Sequence, residues 1–155
     1  MRVLAIDPGS EESGWILYEP GHVIDSGTGD NHDVLRWVAA GQGADVLAIE
    51  FAESFGQKVW SQVFTTTRWV GRFQQAWRAP DEVVLVTRSQ IKLELLGRRA
   101  GADKDIRQAL LDRVGLPGKK SAPGPTYGVT SHAWAALAVA VTYAAKHCRT
   151  DEPAF

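Results

Sequence analysis

The chain has 155 residues, 45% of them hydrophobic and 23% charged, which suits one folded domain and excludes a disordered or collagen-like protein. No apolar run approaches the roughly 20 residues of a membrane-spanning helix, and the first residues lack the layout of a secretory signal. The net charge of -1 hides an asymmetry: residues 1–57 hold ten acids against Arg2 and Arg36, whereas residues 58–149 hold fifteen bases against six acids. An acidic half can supply metal ligands while a basic half faces a polyanion; a solvated surface with chance clustering fits equally well. Cys148 is alone, so no internal disulfide and no Cys/His zinc cluster is expected, and a reducing cytoplasm is the default setting.

Residues 2–7 (RVLAID) form an apolar run ending on a carboxylate, and Pro8 and Gly9 predict a turn after it. Strands are expected over 13–18 and 22–26, either side of the Pro20-Gly21 turn, and a helix from 33 to about 40. Residues 45–50 (DVLAIE) repeat the first pattern, an apolar run ending on an acid, as suits a strand covered on both faces. The longest helix is expected over 58–78. It carries one stripe of Val59, Val63 and Val70 and an adjoining one of Trp60, Phe64, Thr67 and Gly71, so more than one side should be covered. A fifth strand is expected over 82–87, then helices over 88–96 and 104–114, the latter with Asp103 as N-cap. Residues 115–127, with three prolines and the Lys119-Lys120 pair, read as a mobile basic loop. Residues 131–146 read as an Ala/Val-rich helix. The order predicts an α/β fold with a sheet layered by helices, in a single domain over 1–155 with 148–155 as a short tail.

The chemistry points to the two strand-ending acids. If the strands are neighbours, Asp7 and Glu50 leave the same end of the sheet and repel unless a hard cation such as Mg²⁺ lies between them. Alternatively, Asp7 only caps its turn and Glu50 ends in solvent. Asp7, Gly9 and Gly14 also fit the phosphate turn of actin-like nucleotide-binding proteins, but that class needs a second similar domain for which this length leaves no room.

Four segments together resemble the RuvC family of Holliday junction resolvases. IDPGSEESGW over 6–15 is similar to its first strand and turn, and LAIE over 47–50 to its second acidic strand end. SQIKLELLGRRAGADKDIRQALLDRVG over 89–115 resembles its strand-helix-helix segment, and SHAWAALAVAVTYA over 131–144 its last catalytic helix. The resemblance implies a ribonuclease-H-like fold, a mixed five-stranded sheet flanked by helices. It also implies a homodimeric, metal-dependent endonuclease that nicks four-way junctions symmetrically. By the resemblance, Asp7, Glu50 and His132 are catalytic and metal-binding, with two Mg²⁺ ions in an intact site and Mn²⁺ as the alternative. Lys104, which matches a family lysine near the scissile phosphate, is expected to be catalytic as well. The fourth family position falls on Ala135, which cannot ligate a metal. It is read either as an inactivating replacement or as a native residue of a junction binder or one-metal nuclease.

DNA contacts are expected from Arg88, Lys92, Arg98, Arg99, Lys104, Arg107, Lys119 and Lys120, in a segment where residues 88–120 carry nine bases against four acids. Phe55 is the candidate wedge at a junction crossover; core or dimer seam suits Phe51, Phe55 and Trp60 equally. The dimer is expected through the 58–78 helix, using Trp60, Phe64, Trp69 and Trp77, with the monomer core as the other home for these rings. Flap, fork or Y-junction nuclease, and non-cleaving junction binder, are the competing functions.

Overall fold

The structure, a computed structural model, describes residues 1–54, 56 and 58–148. Its sheet is built from β1 (Val3–Asp7), β2 (Glu12–Glu19), β3 (His22–Asp30), β4 (Val46–Phe51) and β5 (Val84–Thr87) in the order β3-β2-β1-β4-β5. The first three strands form an antiparallel meander, β4 pairs parallel to β1, and β5 pairs parallel to β4. Parallel strands need crossovers, and α1 (Asn31–Ala40) and α2 (Ser61–Ala76) lie on them, while α3 (Arg88–Leu96), α4 (Asp103–Val114) and α5 (Ala133–Cys148) follow the last strand of the sheet.

Alternation along the central strands sorts the core into two layers. Val3, Ala5, Ala48 and Val86 pack beneath α3, α4 and α5, while Leu4, Ile6, Leu47 and Ile49 pack beneath α1 and α2. Both sets are buried, which is why β1 and β4 read as unbroken apolar runs. Among the described residues no helix is long and apolar enough to cross a membrane.

Several boundaries differ from expectation for local reasons. The long helix begins only at Ser61, and Trp69, Phe73 and Trp77 are core residues, so two of the four rings assigned to a dimer seam belong to the monomer. Trp60 and Phe64 remain 69% and 66% exposed. Pro80 opens a short 3-10 turn (Pro80–Glu82), which delays β5 to Val84. Asp103 is the first residue of α4 rather than its cap. Ala102 is the N-cap, and the Asp105 carboxylate accepts from the Ala102 N–H at 2.8 Å.

The expected mobile loop is instead a hairpin of β6 (Gly118–Lys119) and β7 (Ala122–Pro123), turning at Lys120 and Ser121. It is anchored where the Gly124 N–H donates to the Pro117 carbonyl, and where the buried Thr126 hydroxyl donates to the Gly115 carbonyl, each at 2.8 Å. Gly118 has φ 66°, and a Cβ there would lie 2.4 Å from the Ala122 carbonyl oxygen, so only glycine fits this tight return.

Candidate active site

Asp7 is the last residue of β1 and lies on the same side as Val3 and Ala5; Glu50 follows Ala48 on β4 in the same way. Since β1 and β4 pair in register, Ile6 against Ile49, the two acids end adjacent parallel strands on the face that α5 covers. The turn after Asp7 is held by a small polar cluster. The Ser13 hydroxyl donates to Asn31 Oδ1 at 2.5 Å, the Gly9 N–H donates to Ser13 Oγ at 3.2 Å, and Asn31 Nδ2 donates to the Gly9 carbonyl at 2.9 Å. Ser13 and Asn31 are both buried, so this cluster fixes where β1 stops.

His132 reaches Asp7 because of Gly14. The β1–β2 register places Gly14 directly beside Asp7, and the backbone of His132 passes across it. A Cβ on Gly14 would lie 2.4 Å from the His132 carbonyl oxygen and 2.7 Å from its Cβ, so any side chain there would push the histidine away. His132 Nδ1 lies 3.3 Å from Asp7 Oδ2. The residue was expected within the last helix; it sits one residue before α5, and its carbonyl accepts from Ala135 N at 3.1 Å and Ala136 N at 3.2 Å. Ser131, at φ 48°, makes the sharp entry. His132 and Ala135 are therefore a capping residue and a first-turn residue, not two positions of one regular helical face.

Arg88 is the charge that the two acids share. It follows β5 and opens α3, whose start is fixed by a reciprocal cap between Thr87 and Gln90. Its guanidinium lies 3.9 Å from Glu50 Oε1 and forms an ion pair with Asp103 at the start of α4. Glu53, just beyond β4, accepts from the Ser89 hydroxyl at 2.7 Å and the Ser89 N–H at 3.2 Å, which ties this segment to α3. That bonding draws the Glu53 carboxyl below its ordinary range, the Ser89 hydroxyl having the largest effect.

Burial dominates the electrostatics. It pushes Glu50 from 4.5 up to about 7, with the neighbouring Asp7 charge adding to the rise and Arg88 opposing it. Asp7 is also raised by burial, while His132 and Arg88 pull it down. Asp103, expected only as a helix cap within the family-like segment, raises both, which makes it an acid of this site.

The donor chemistry suits one divalent cation better than two. Two half-buried carboxylates, one of which raises the proton affinity of the other, offer hard oxygens to a single ion. Among the described residues, however, no three His, Cys, Asp or Glu side chains are gathered closely enough to hold a metal. Asp7, Glu50 and His132, expected as a ligand trio, thus come to one end of the sheet without closing into a cage, and Ala135 adds no donor.

Two hollows flank this point. A groove of about 130 Å³ is lined by Asp7, Glu50, Thr66 and Thr67. A larger cavity of about 480 Å³ lies between α4 and α5, where His132 and Ala135 meet Lys104, Arg107 and Trp134. Lys92 is half-buried on α3; Arg98 and Arg99 are exposed on the turn after it, and Lys119 and Lys120 are exposed at the hairpin tip. Phe55 lies outside the described residues.

Solved structures agree with this architecture. RuvC of Thermus thermophilus superposes with a TM-score of 0.72 at 19% identity, covering 97% of this chain and 97% of that one. The fold is that of RuvC. A second structure, T. thermophilus RuvC in complex with a Holliday junction substrate, gives a TM-score of 0.74 at 19% identity, covering 97% of this chain and 96% of that one. No protein-family model and no curated protein matches the sequence. The RuvC fold accounts for the mixed sheet and the flanking helices expected from the motifs.

Proposed function

We propose that this chain is a metal-dependent, structure-selective DNA endonuclease that resolves four-way junctions by paired symmetric nicks. The observation that carries the reading is the pairing of half-buried Asp7 and Glu50 on adjacent strand ends, with His132 on Asp7. The fold adds support, because the RuvC it resembles has been captured with a Holliday junction substrate.

A divalent cation, Mg²⁺ or Mn²⁺, would be held by Asp7 and Glu50 and would supply Lewis-acid polarisation of a phosphate and a more acidic water. The remaining work falls to side chains. The Asp7 carboxylate favours the His132 tautomer protonated at Nδ1, leaving Nε2 to take up or release a proton. Arg88 and Lys104 present positive charge beside the imidazole, where phosphate oxygens of the cut strand would lie. Exposed Trp60 and Phe64 offer an apolar surface for a second copy, which would set two sites at the spacing of two symmetric nicks.

Asp7→Asn is expected to lower junction cleavage in Mg²⁺ or Mn²⁺ at least about a thousandfold, roughly 4 kcal/mol of barrier. Junction affinity in EDTA should stay within about threefold. Cleavage at the parent rate would remove Asp7 from the site. Flaps, forks and Y-junctions belong in the same assay, since equal rates on them would make the enzyme a broader branched-DNA nuclease.

Ala135 favours a second reading. With no oxygen at that position, the chain would bind junctions and cut them slowly or not at all.

The hairpin tip supplies a separate test of DNA binding. Replacing both Lys119 and Lys120 with Ala should weaken junction binding and flatten its salt dependence, each lost phosphate contact lowering the log–log slope by about one unit. An unchanged slope would place the tip away from DNA.

A further inference from the structure

Glu50 stands near the end of its support. The β4–β5 ladder pairs Glu50 with Val86 and closes one step later with Phe51 beside Thr87. Beyond that pair the chains part: β5 turns into α3, and β4 runs on as irregular chain. β5 is also the outermost strand on this side of the sheet. Ladder ends fray at little cost in free energy. A carboxylate that must hold a cation in fixed geometry is poorly served there unless something past the ladder grips the chain.

Glu53 grips it. One carboxylate oxygen, Oε2, accepts from the Ser89 hydroxyl at 2.7 Å and from the Ser89 N–H at 3.2 Å. Ser89 is the second residue of α3, so its N–H is one of those a helix leaves without an internal acceptor. The Thr87 hydroxyl takes the neighbouring Gln90 N–H, and Glu53 serves the same turn from beyond β4. An ionised acceptor at a helix start makes short, favourable hydrogen bonds. The spacing of the two chains matches as well. Arg88 lies 3.9 Å from Glu50 and Ser89 holds Glu53, so adjacent residues of α3 address two carboxylates in turn. Glu53 is exposed, so no demand of the core puts an acid there. It is also the only acid in the sequence from 51 to 80, and it sits beside a helix that carries Arg88 and Lys92. On a surface facing DNA its charge works against phosphate, so its use lies in what it holds.

We propose that Glu53 is a positioning residue, a clasp on Ser89 that holds the end of β4 to α3 and so fixes Glu50 beside Asp7 and Arg88. The clasp rests on the reading of Asp7 and Glu50 as the pair that holds a divalent cation. It adds to that reading a side chain that touches no cation yet sets how well the pair binds one. With the clasp undone, the last residues of β4 gain freedom, and Glu50 has to be ordered anew each time a cation arrives. Affinity for the cation then falls while the fold as a whole, to which an exposed pair contributes little, stays intact.

The test titrates Mn²⁺ into the full chain without DNA and follows the loss of the free-Mn²⁺ signal by electron paramagnetic resonance. Glu53→Ala should weaken Mn²⁺ binding at least about fivefold. Glu53→Gln removes the charge but keeps an accepting oxygen in place, so it should stay within about twofold of the parent. Ser89→Ala loses only the hydroxyl and should fall between the parent and Glu53→Ala. Added to Glu53→Ala, it should weaken binding no further, since the two side chains act as one pair. Each variant should melt within about 2 °C of the parent in EDTA. Backbone amides over 51–53 should nevertheless exchange faster in Glu53→Ala. Parent-like affinity for Glu53→Ala would overturn the clasp alone, because Glu50 would then be fixed without it. An equal fall for Gln and Ala would do the same by reducing Glu53 to a nearby charge, and so would a loss of melting temperature that tracks the affinity. A parent that binds no Mn²⁺, or binding untouched by Asp7→Asn, would overturn the acid-pair reading and the clasp with it.

Discussion

Ala135→Asp is expected to raise metal-dependent cleavage of a four-way junction at least a hundredfold, roughly 2.7 kcal/mol off the barrier. Position 135 lies in the first turn of α5 and lines the same cavity as His132, so a carboxylate there adds the hard oxygen that this end of the sheet lacks. With Asp7 and Glu50 it would give a second divalent ion something to bind, and two ions can steady both the attacking and the leaving oxygen. The added charge is repelled by the DNA, so affinity in EDTA should hold steady or fall slightly. Asn at 135 has nearly the same size without the charge and should remain close to the parent. Equal rates for Asp and Asn, or efficient cleavage by the parent, would show that 135 is not the missing ligand.

The second large effect concerns Glu50 and pH. Its folded-state pKa of about 7 stands above the ordinary 4.5, so the protonated form suits the fold and the ionised form strains it. The stability it contributes is therefore complete below about pH 4.5 and disappears as pH rises through 7. A difference of that size corresponds to about 3 kcal/mol. Glu50→Gln keeps the shape and removes the charge, so in EDTA at pH 8 it should melt at least about 6 °C above the parent. Near pH 4.5 the two should melt together. Mg²⁺ at pH 8 should recover much of the gap for the parent and do little for Glu50→Gln. Parallel melting curves across the whole range would mean that Glu50 is solvated and that the acidic pair is not strained.

The strands were legible wherever one physical signal dominated. The runs ending in Asp7 and Glu50 are buried on both sides, so they carry no polar alternation, and their terminal acids mark the C-terminal end of the central strands. The 88–96 helix was found to the residue because Thr87 and Gln90 write its start into the sequence and Gly97, at φ 69°, writes its end. What escaped notice depended on distance in space rather than along the chain. Asp103 lies far from position 135 along the chain, and only the α3–α4 turn delivers it to the site, where Arg88 joins it to Glu50. Trp69 and Trp77 resemble Trp60 and Phe64 as sequence, and only the packing of α2 on the sheet separates the buried rings from the exposed ones. The Ser13–Asn31 cluster left one faint signal, a serine in an otherwise apolar strand.

Gly14 also has a consequence for the order in which the protein becomes competent. Asp7 and His132 come from opposite ends of the sequence, and they meet only when the backbone before α5 settles onto the bare β2 strand. Contacts between such remote segments are the slowest to form, because the loop entropy must be overcome first. While the chain is being synthesised, the sheet and its acids can assemble long before the last helix leaves the ribosome. Until then the imidazole is missing and the α4–α5 cavity has only one wall. A site built in this way carries its own delay: its acids stand ready first, and its imidazole arrives with α5.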